Sequence, residues 1–498
     1  LRKAIDEMPN QVYQGLFSAS EEVVLETVLS MAKGGDRKKL GALLDEHHGA
    51  VKPLVQDLGG HDLGSLIDAF QFARLETTRP TVLFAYTIKG WGLPMAGRPD
   101  NHSALLGGEQ IDDLRSAWGM TLDNEWDRFA DGSAEGKWCA AAAERLARPP
   151  RKQPTRIEIP ARISDRDGGK NSTQAAFGRA LLDASRIKGL GERIVTVSPD
   201  VSVSTNLGGW INKVGAFGPL PGTSWDDEAS DAALKWKISP QGQHIELGIS
   251  EMNLFLMLGQ LGMTWDFQGE QLFPIGTVYD PFVARGLDGL IYSVYSGARF
   301  IFAGTPAGIS LSREGGAHQS TITPGIGIEL PGVWYAEPCF AREMEWLLLD
   351  GLNTLQDADG ESLYLRLSTK PIDQTPFAEV VTRRGEEALR EDVLKGGFRL
   401  REPGQSGAGS LDDAVVIATC GAIVPEVLEA ARILEEEEGV ATTVLALSSP
   451  DRLYRGWRQA RLQPLRDAAS RPAPSHLDSL LSPAERKLPV VTVIDGAS

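Results

Sequence analysis

Residues 243–262, QHIELGISEMNLFLMLGQLG, set one carboxylate at the mouth of a helix that is apolar on every face, and few folds can house such a segment. Met252, Leu254, Phe255, Leu256, Met257, Leu258 and Leu261 leave no polar stripe for water, so the helix is expected inside a larger core. Ser250 is the expected cap. Glu251 then stands in the first turn, where the positive end of the helix dipole favours the ionised form and apolar surroundings favour the protonated one. A carboxyl group held between those pulls can exchange a proton, although glutamate is also an ordinary residue at a helix start.

The enclosing core has to come from short apolar runs that alternate with helical patterns. TVLFAYTI after Pro80, ERIVTVS, ARFIFAG, SLYLRLS, DAVVIATCG, ATTVLALSS and LPVVTVID read as strands, and Leu66–Leu75, Gln174–Ser185 and Ile423–Glu437 as helices. The alternation predicts an α/β fold of parallel sheets flanked by helices, with ligands at the carboxyl ends of the strands. Leu1–Ala50 reads as a charged, solvated helical layer. Stretches rich in Pro, Gly and charge at 151–170 and 383–412 read as linkers, which leaves domains at 1–150, 171–382 and 413–498.

Charge and cysteine content narrow the function. A formal net charge of -17 over 498 residues argues against nucleic acid, whose phosphates call for basic patches. Three cysteines, 139, 339 and 420, lie far apart with no CxxC pair, which fits a reducing cytoplasm and suggests neither disulfides nor zinc. No apolar run approaches the roughly 20 residues of a membrane span. The chain opens inside a helical pattern and ends directly after a strand-like run, and so reads as a fragment.

HIELGISEMN resembles the segment of thiamine-diphosphate enzymes, of the transketolase and homodimeric pyruvate dehydrogenase group, that carries the glutamate facing the cofactor's aminopyrimidine ring. By that resemblance Glu251 shares a proton with N1′ of the ring, which makes the 4′-amino group basic enough to strip the C2 proton. GGHDLGSLIDAF, PTVLFAYTIKGWG and RPDNHSALL are similar to the end of the group's diphosphate-binding domain. The resemblance implies Lys89 beside the diphosphate, where an ammonium is chemically apt, and His102 on a loop entering the active-site cleft. It also puts Asp200 near the cofactor and the dimer seam, and Tyr279 and Phe282 against the aminopyrimidine ring. The loop SREGGAHQS resembles the one whose histidine contacts substrate, which singles out His318 with Glu314 as its acidic neighbour. A solvated lysine, an exposed loop histidine, a turn aspartate and core aromatics are the structural alternatives at these positions. His61, in GGHD, reads as a turn-stabilising residue.

The resemblance implies a three-domain thiamine-diphosphate-binding fold with incomplete first and third domains. Transketolases hold sugar phosphate with the arginine of a Ser-Arg-Gln motif, whereas this chain has Ser368, Thr369 and Lys370 and lacks that bidentate fork. The group's Gly-Asp-Gly signature, which supplies Mg2+ ligands, is missing too, so those ligands are expected outside this segment and none is named. The implied activity is oxidative decarboxylation of a 2-oxo acid such as pyruvate, by a homodimer that passes the acyl unit to a lipoyl group on a dihydrolipoamide acyltransferase. Two-carbon transfer between sugar phosphates and a non-catalytic scaffold of the same fold are the alternatives.

Overall fold

The structure is a computed structural model that describes residues 1–46, 51–56, 59–148, 150, 152–164, 168–220, 237–311, 315–406, 413–466 and 473–497. The chain divides into two compact units, Leu1–Ala147 and Arg148–Ser498.

In the first unit the helices Arg2–Asp6, Asn10–Gly15, Glu21–Met31, Gly34–Glu46 and Val51–Gln56 enclose a small core of their own. Val24, Val28, Leu44 and Val51 are buried in it, so the amino-terminal helices are more than a solvated layer. Ser20 caps Glu21–Met31 by accepting the N–H of Val23. The helix Leu63–Leu75 begins at Asp62, whose carboxylate accepts from Gly64 and Ser65. The segment 80–88 departs from expectation: among the described residues it is extended but pairs with no strand. A strand exists only where a neighbour offers N–H and C=O groups in register, and the bonds seen here are isolated: Gly60 N–H to the Tyr86 carbonyl, 3.1 Å, Ile88 N–H to His61 Nε2, 2.8 Å, and Trp91 N–H to the Ile88 carbonyl, 3.3 Å.

The second unit is built on an eight-stranded sheet. Its spatial order is Ile238–Ser239, Ala216–Phe217, His244–Glu246, Ile194–Ser198, Phe273–Val278, Ile301–Gly304, Ser362–Arg366 and Val333–Ala336, and every neighbouring pair is parallel. After Ile194–Ser198 the chain builds outward on one side, then crosses to Phe273–Val278 on the other. The carboxyl ends of those two strands therefore form the switch point where doubly wound sheets bind ligands. Continuous apolar runs such as Ile301–Gly304 are buried because both faces are covered. Thr173–Ala184 and Ala341–Thr354 pack on one face, Glu251–Gly262 and Leu287–Tyr295 on the other.

A four-stranded sheet follows, in the order Phe398–Arg401, Ala441–Ala446, Ala414–Thr419, Val490–Val493, with the first strand antiparallel and the rest parallel. The expected strand–helix–strand unit is present as Ala414–Thr419, Val424–Glu436 and Ala441–Ala446. Residues 386–401, read as part of a linker, instead form the helix Glu386–Leu394 and the strand Phe398–Arg401, because Leu389, Val393 and Phe398 are buried in the core. Within 152–164, Ile157, Ile159 and Ile163 pack against the same core, and the Ile163 N–H donates to Glu345 at 3.1 Å.

Candidate active site

Every candidate residue described in the second unit follows a strand carboxyl end. Glu251 opens the helix Glu251–Gly262, five residues after the strand His244–Glu246, and its side chain is only 11% exposed. The turn is made without a side-chain cap from Ser250, contrary to expectation: its backbone sits at φ -159, ψ 87. The helix is also not enclosed all round. Leu254, Phe255 and Leu258 are buried, but Leu256 is 43% exposed, since only one flank of the helix meets the sheet.

Tyr279 and Phe282 leave the strand Phe273–Val278 through a 3-10 turn, Asp280–Gly286, and His318 ends the short turn Gly316–His318 in the loop after Ile301–Gly304. The three rings gather, with His318 centred 5.1 Å from Tyr279 and 5.7 Å from Phe282. Glu251 joins them through Arg285, whose guanidinium lies 3.7 Å over the Phe282 ring and 3.6 Å from the carboxylate. The Tyr279 hydroxyl donates to Ser204 at 2.7 Å. A nearly buried carboxylate is thus linked through Arg285 to a phenylalanine that packs with a histidine and a tyrosine. That donor set suits a flat nitrogen heterocycle.

Asp200 lies at the carboxyl end of Ile194–Ser198 with φ 67, a left-handed conformation that costs a residue with a Cβ free energy. Its backbone N–H donates to Glu246 at 2.7 Å. Glu246 and His244 were not singled out from the sequence, yet they anchor this loop. Trp210 Nε1 donates to the Thr196 hydroxyl at 2.8 Å, and that hydroxyl lies 2.9 Å from His244 Nδ1, while Nε2 lies 3.3 Å from Glu246. In the neutral imidazole, a proton donated by Thr196 to Nδ1 leaves the ring proton on Nε2, facing the carboxylate. Burial alone would raise the Glu246 pKa, but the bonds from His244, the Asp200 N–H and Ser202 outweigh it and hold the carboxyl below its ordinary range. The signal was available, since residues two apart on a strand share a face and His-x-Glu therefore pairs its ends.

Beneath the aromatic group lies a buried charged cluster. Asp280 accepts from Tyr364, Thr323 (2.6 Å), Ser320 and Arg366 (3.1 Å), and Arg366 also donates to Glu337 at 2.6 Å. Burial, ahead of the pull of Arg366, raises the Glu337 pKa. Lys370 is engaged elsewhere: its ammonium donates to the Ala422 carbonyl at 3.1 Å and pairs with Glu426.

Lys89 and His102 belong to the first unit and are held to each other. Lys89 Nζ donates to the His102 carbonyl at 2.7 Å, and Asn101 donates back to the Lys89 carbonyl at 2.6 Å. The loop between them packs onto Asn10–Gly15, where a Cβ on Gly97 would lie 2.3 Å from the Gln14 carbonyl. His61 accepts the Ile88 N–H at 2.8 Å and stacks on Trp91, which is the turn-stabilising role expected of it. Glu314 lies outside the described residues, and among the described residues no group of three or more His, Cys, Asp or Glu is arranged to hold a metal ion.

The doubly wound sheet with a cluster at its switch point is a mixed α/β architecture of the transketolase fold. Solved transketolases share the fold: that of Leishmania mexicana superposes with a TM-score of 0.61 at 17% identity, over 87% of this chain and 58% of the other. The Campylobacter jejuni enzyme gives 0.55 at 18%, over 79% and 56%. Residues 47–135 match the family of the transketolase thiamine diphosphate-binding domain, and residues 159–371 that of the pyruvate dehydrogenase E1 component middle domain. The chain is similar to the pyruvate dehydrogenase E1 component, the resemblance its motifs implied. That of Pseudomonas aeruginosa is 24% identical over 92% of this chain and 54% of its own length. The Escherichia coli K12 protein is 23% identical over 80% and 46%, and that of Mycolicibacterium smegmatis 25% over 96% and 55%. The chain thus spans about half the length of these curated relatives.

Proposed function

We propose that this polypeptide forms part of a thiamine-diphosphate-dependent enzyme that decarboxylates a 2-oxo acid, pyruvate foremost. The observation that carries the reading is the nearly buried Glu251 joined through Arg285 and Phe282 to Tyr279 and His318 at the switch point of the sheet. When bound, thiamine diphosphate would supply the nucleophilic carbon and the electron sink that decarboxylation of a 2-oxo acid needs. Glu251 holds and moves the proton on the pyrimidine nitrogen, with Tyr279 and Phe282 flanking the ring. His318 orients the substrate carboxylate and moves protons at the reacting carbon, and His102, on its loop in the first unit, takes the same kind of role. Lys89 meets the diphosphate and Asp200 borders the cofactor, and the Mg2+ that accompanies a diphosphate takes its ligands from outside the described residues. Transfer of the acyl unit to a lipoyl-bearing acyltransferase, a homodimeric assembly and a cytoplasmic location complete the proposal. Three free cysteines are in keeping with that location, and no described helix is long and apolar enough to cross a membrane.

A 2-oxo acid is favoured over a sugar phosphate because Thr369 stands where the Ser-Arg-Gln motif of transketolases would put the phosphate-binding arginine, and the neighbouring cation, Lys370, is tied to Ala422 and Glu426. Turnover of pyruvate with an artificial electron acceptor, compared with xylulose 5-phosphate plus ribose 5-phosphate, tests the choice on the full-length gene product. Glu251→Gln keeps the shape of the side chain and removes its exchangeable proton. Calorimetry should still detect thiamine diphosphate binding to this variant, while C2 proton exchange slows by roughly 10²–10⁴-fold. Wild-type exchange in the variant would refute the role of Glu251, and no heat of binding to the wild-type protein would favour a scaffold.

A further inference from the structure

The chain that leaves Ile301–Gly304 carries His318 past Tyr279 and Phe282, and two side chains remote in sequence hold its limbs. Asp495, 2% exposed and just beyond the strand Val490–Val493, accepts through Oδ1 the N–H groups of Ile309 and Ser310, each at 3.0 Å, and through Oδ2 the Ser310 hydroxyl at 2.6 Å. The approach is so close that a Cβ on Gly308 would lie 2.0 Å from Oδ2, and Gly308 has φ +83, where glycine alone is unstrained. Arg366, also 2% exposed, donates from Nη2 to the carbonyls of Ser320 and Asp495, both at 3.0 Å. The Ser320 hydroxyl accepts the Gly308 N–H at 2.9 Å and donates to Asp280, which closes the outgoing limb onto the returning one. Beyond it the Ala497 N–H donates to the Thr321 carbonyl at 3.1 Å.

Nothing in the packing of the sheet requires charges here, since aliphatic residues of similar volume would fill the space without the cost of burying ions. What charges add is direction. The side-chain bonds of Asp495 end on the backbone of Ile309 and on Ser310, and Arg366, besides its pairs with Asp280 and Glu337, reaches the carbonyls of Ser320 and Asp495, so the two limbs are fixed where they run. A loop of this length would otherwise sample many conformations, and mislocation of a reacting group by about 1 Å can cost about 100-fold in rate.

We propose that Asp495, seated by Arg366, is a positioning residue for His318: the segment after the four-stranded sheet clamps the limbs 308–311 and 315–322 and so sets the histidine against Tyr279 and Phe282. The catalytic part of this inference rests on the decarboxylase reading above, and the clamp itself does not.

The test uses the full-length gene product with Asp495→Ala, Asp495→Asn and Ser310→Ala. In Asp495→Ala, hydrogen exchange of peptides covering 305–322 should quicken by about tenfold or more. Its kcat for pyruvate should fall about 10- to 100-fold with KM and thiamine diphosphate affinity within about twofold. Asp495→Asn keeps an acceptor for the two N–H groups and should recover most of both losses. Ser310→Ala removes only the Oδ2 partner, should fall between, and serves if the alanine variant at 495 does not fold. Wild-type exchange over 305–322 in Asp495→Ala, or in Ser310→Ala where that variant stands in, overturns the clamp. Full kcat alongside fast exchange, or an asparagine variant as slow as the alanine one, overturns the positioning role. If the wild-type protein turns over no 2-oxo acid, the decarboxylase reading falls, and the exchange comparison still upholds or sinks the clamp.

Discussion

Glu343 shows how one buried carboxyl can make stability depend on pH. At the start of Ala341–Thr354 it accepts the N–H groups of Cys339 (2.9 Å) and Phe340 (3.0 Å), yet burial dominates and lifts its pKa from 4.5 to about 7. The folded state therefore binds this proton more tightly than the unfolded chain. The stabilisation is complete below pH 4.5 and is lost as pH rises through about 7. Glu343→Gln keeps an acceptor and carries no charge, so it should flatten the profile and leave the variant more stable than wild type above pH 7, by up to about 3 kcal/mol. Denaturant titrations at pH 5 and pH 8 check this, and equal losses at both would sink it. At the same scale, motif reading reached Glu251, Tyr279, Phe282 and His318, which the fold gathers. It passed over His244 and Glu246, because their link to Asp200 runs across strands and through a loop. Asp280 and Asp495 were equally hidden, since a buried charge and a solvated one look alike until their partners are in place.

Among elements, the helices could be read closely, because caps and apolar spacing act within a few residues. Ser20 caps a helix as local signals imply, and the helix read at Leu66–Leu75 is present, begun one turn earlier at Leu63 by the Asp62 cap. Strands depend on partners. ARFIFAG and the extended segment 80–88 look equally strand-like, yet Ile301–Gly304 lies between two neighbours while Val82, Phe84 and Tyr86 are 71%, 93% and 70% exposed. Apolar side chains so displayed should bind hydrophobic dyes and promote association. Phe84→Ser should therefore lower dye fluorescence and raise the concentration at which the protein aggregates, while shifting stability by no more than about 0.5 kcal/mol. A large loss of stability would mean that this ring is packed. The supposed linker through 386–401 was misread because its charged residues face solvent while Leu389, Val393 and Phe398 supply core contacts that short-range composition does not display.

For the molecule as a whole, the eight-stranded sheet and its two apolar layers carry the second unit. Phe302 is fully buried at the centre, stacked on Tyr364 at 4.5 Å and edge-on to Phe255 at 5.2 Å. Phe302→Ala should lower the unfolding free energy of this unit by about 3–5 kcal/mol with little change in denaturant sensitivity. A cost below about 1 kcal/mol would show a core loose enough to collapse around the gap. The α/β class, the carboxyl-end loops and the aromatic and acidic residues they carry were set by the sequence itself, because periodicity, capping and motif spacing are local properties of the chain. Tertiary structure decided which extended runs pair, which charges are buried, and that Asp495 reaches back 186 and 185 residues in sequence to Ile309 and Ser310. Those outcomes rest on hydrogen bonds and burial between segments far apart in sequence, and such contacts exist only once the sheets have formed.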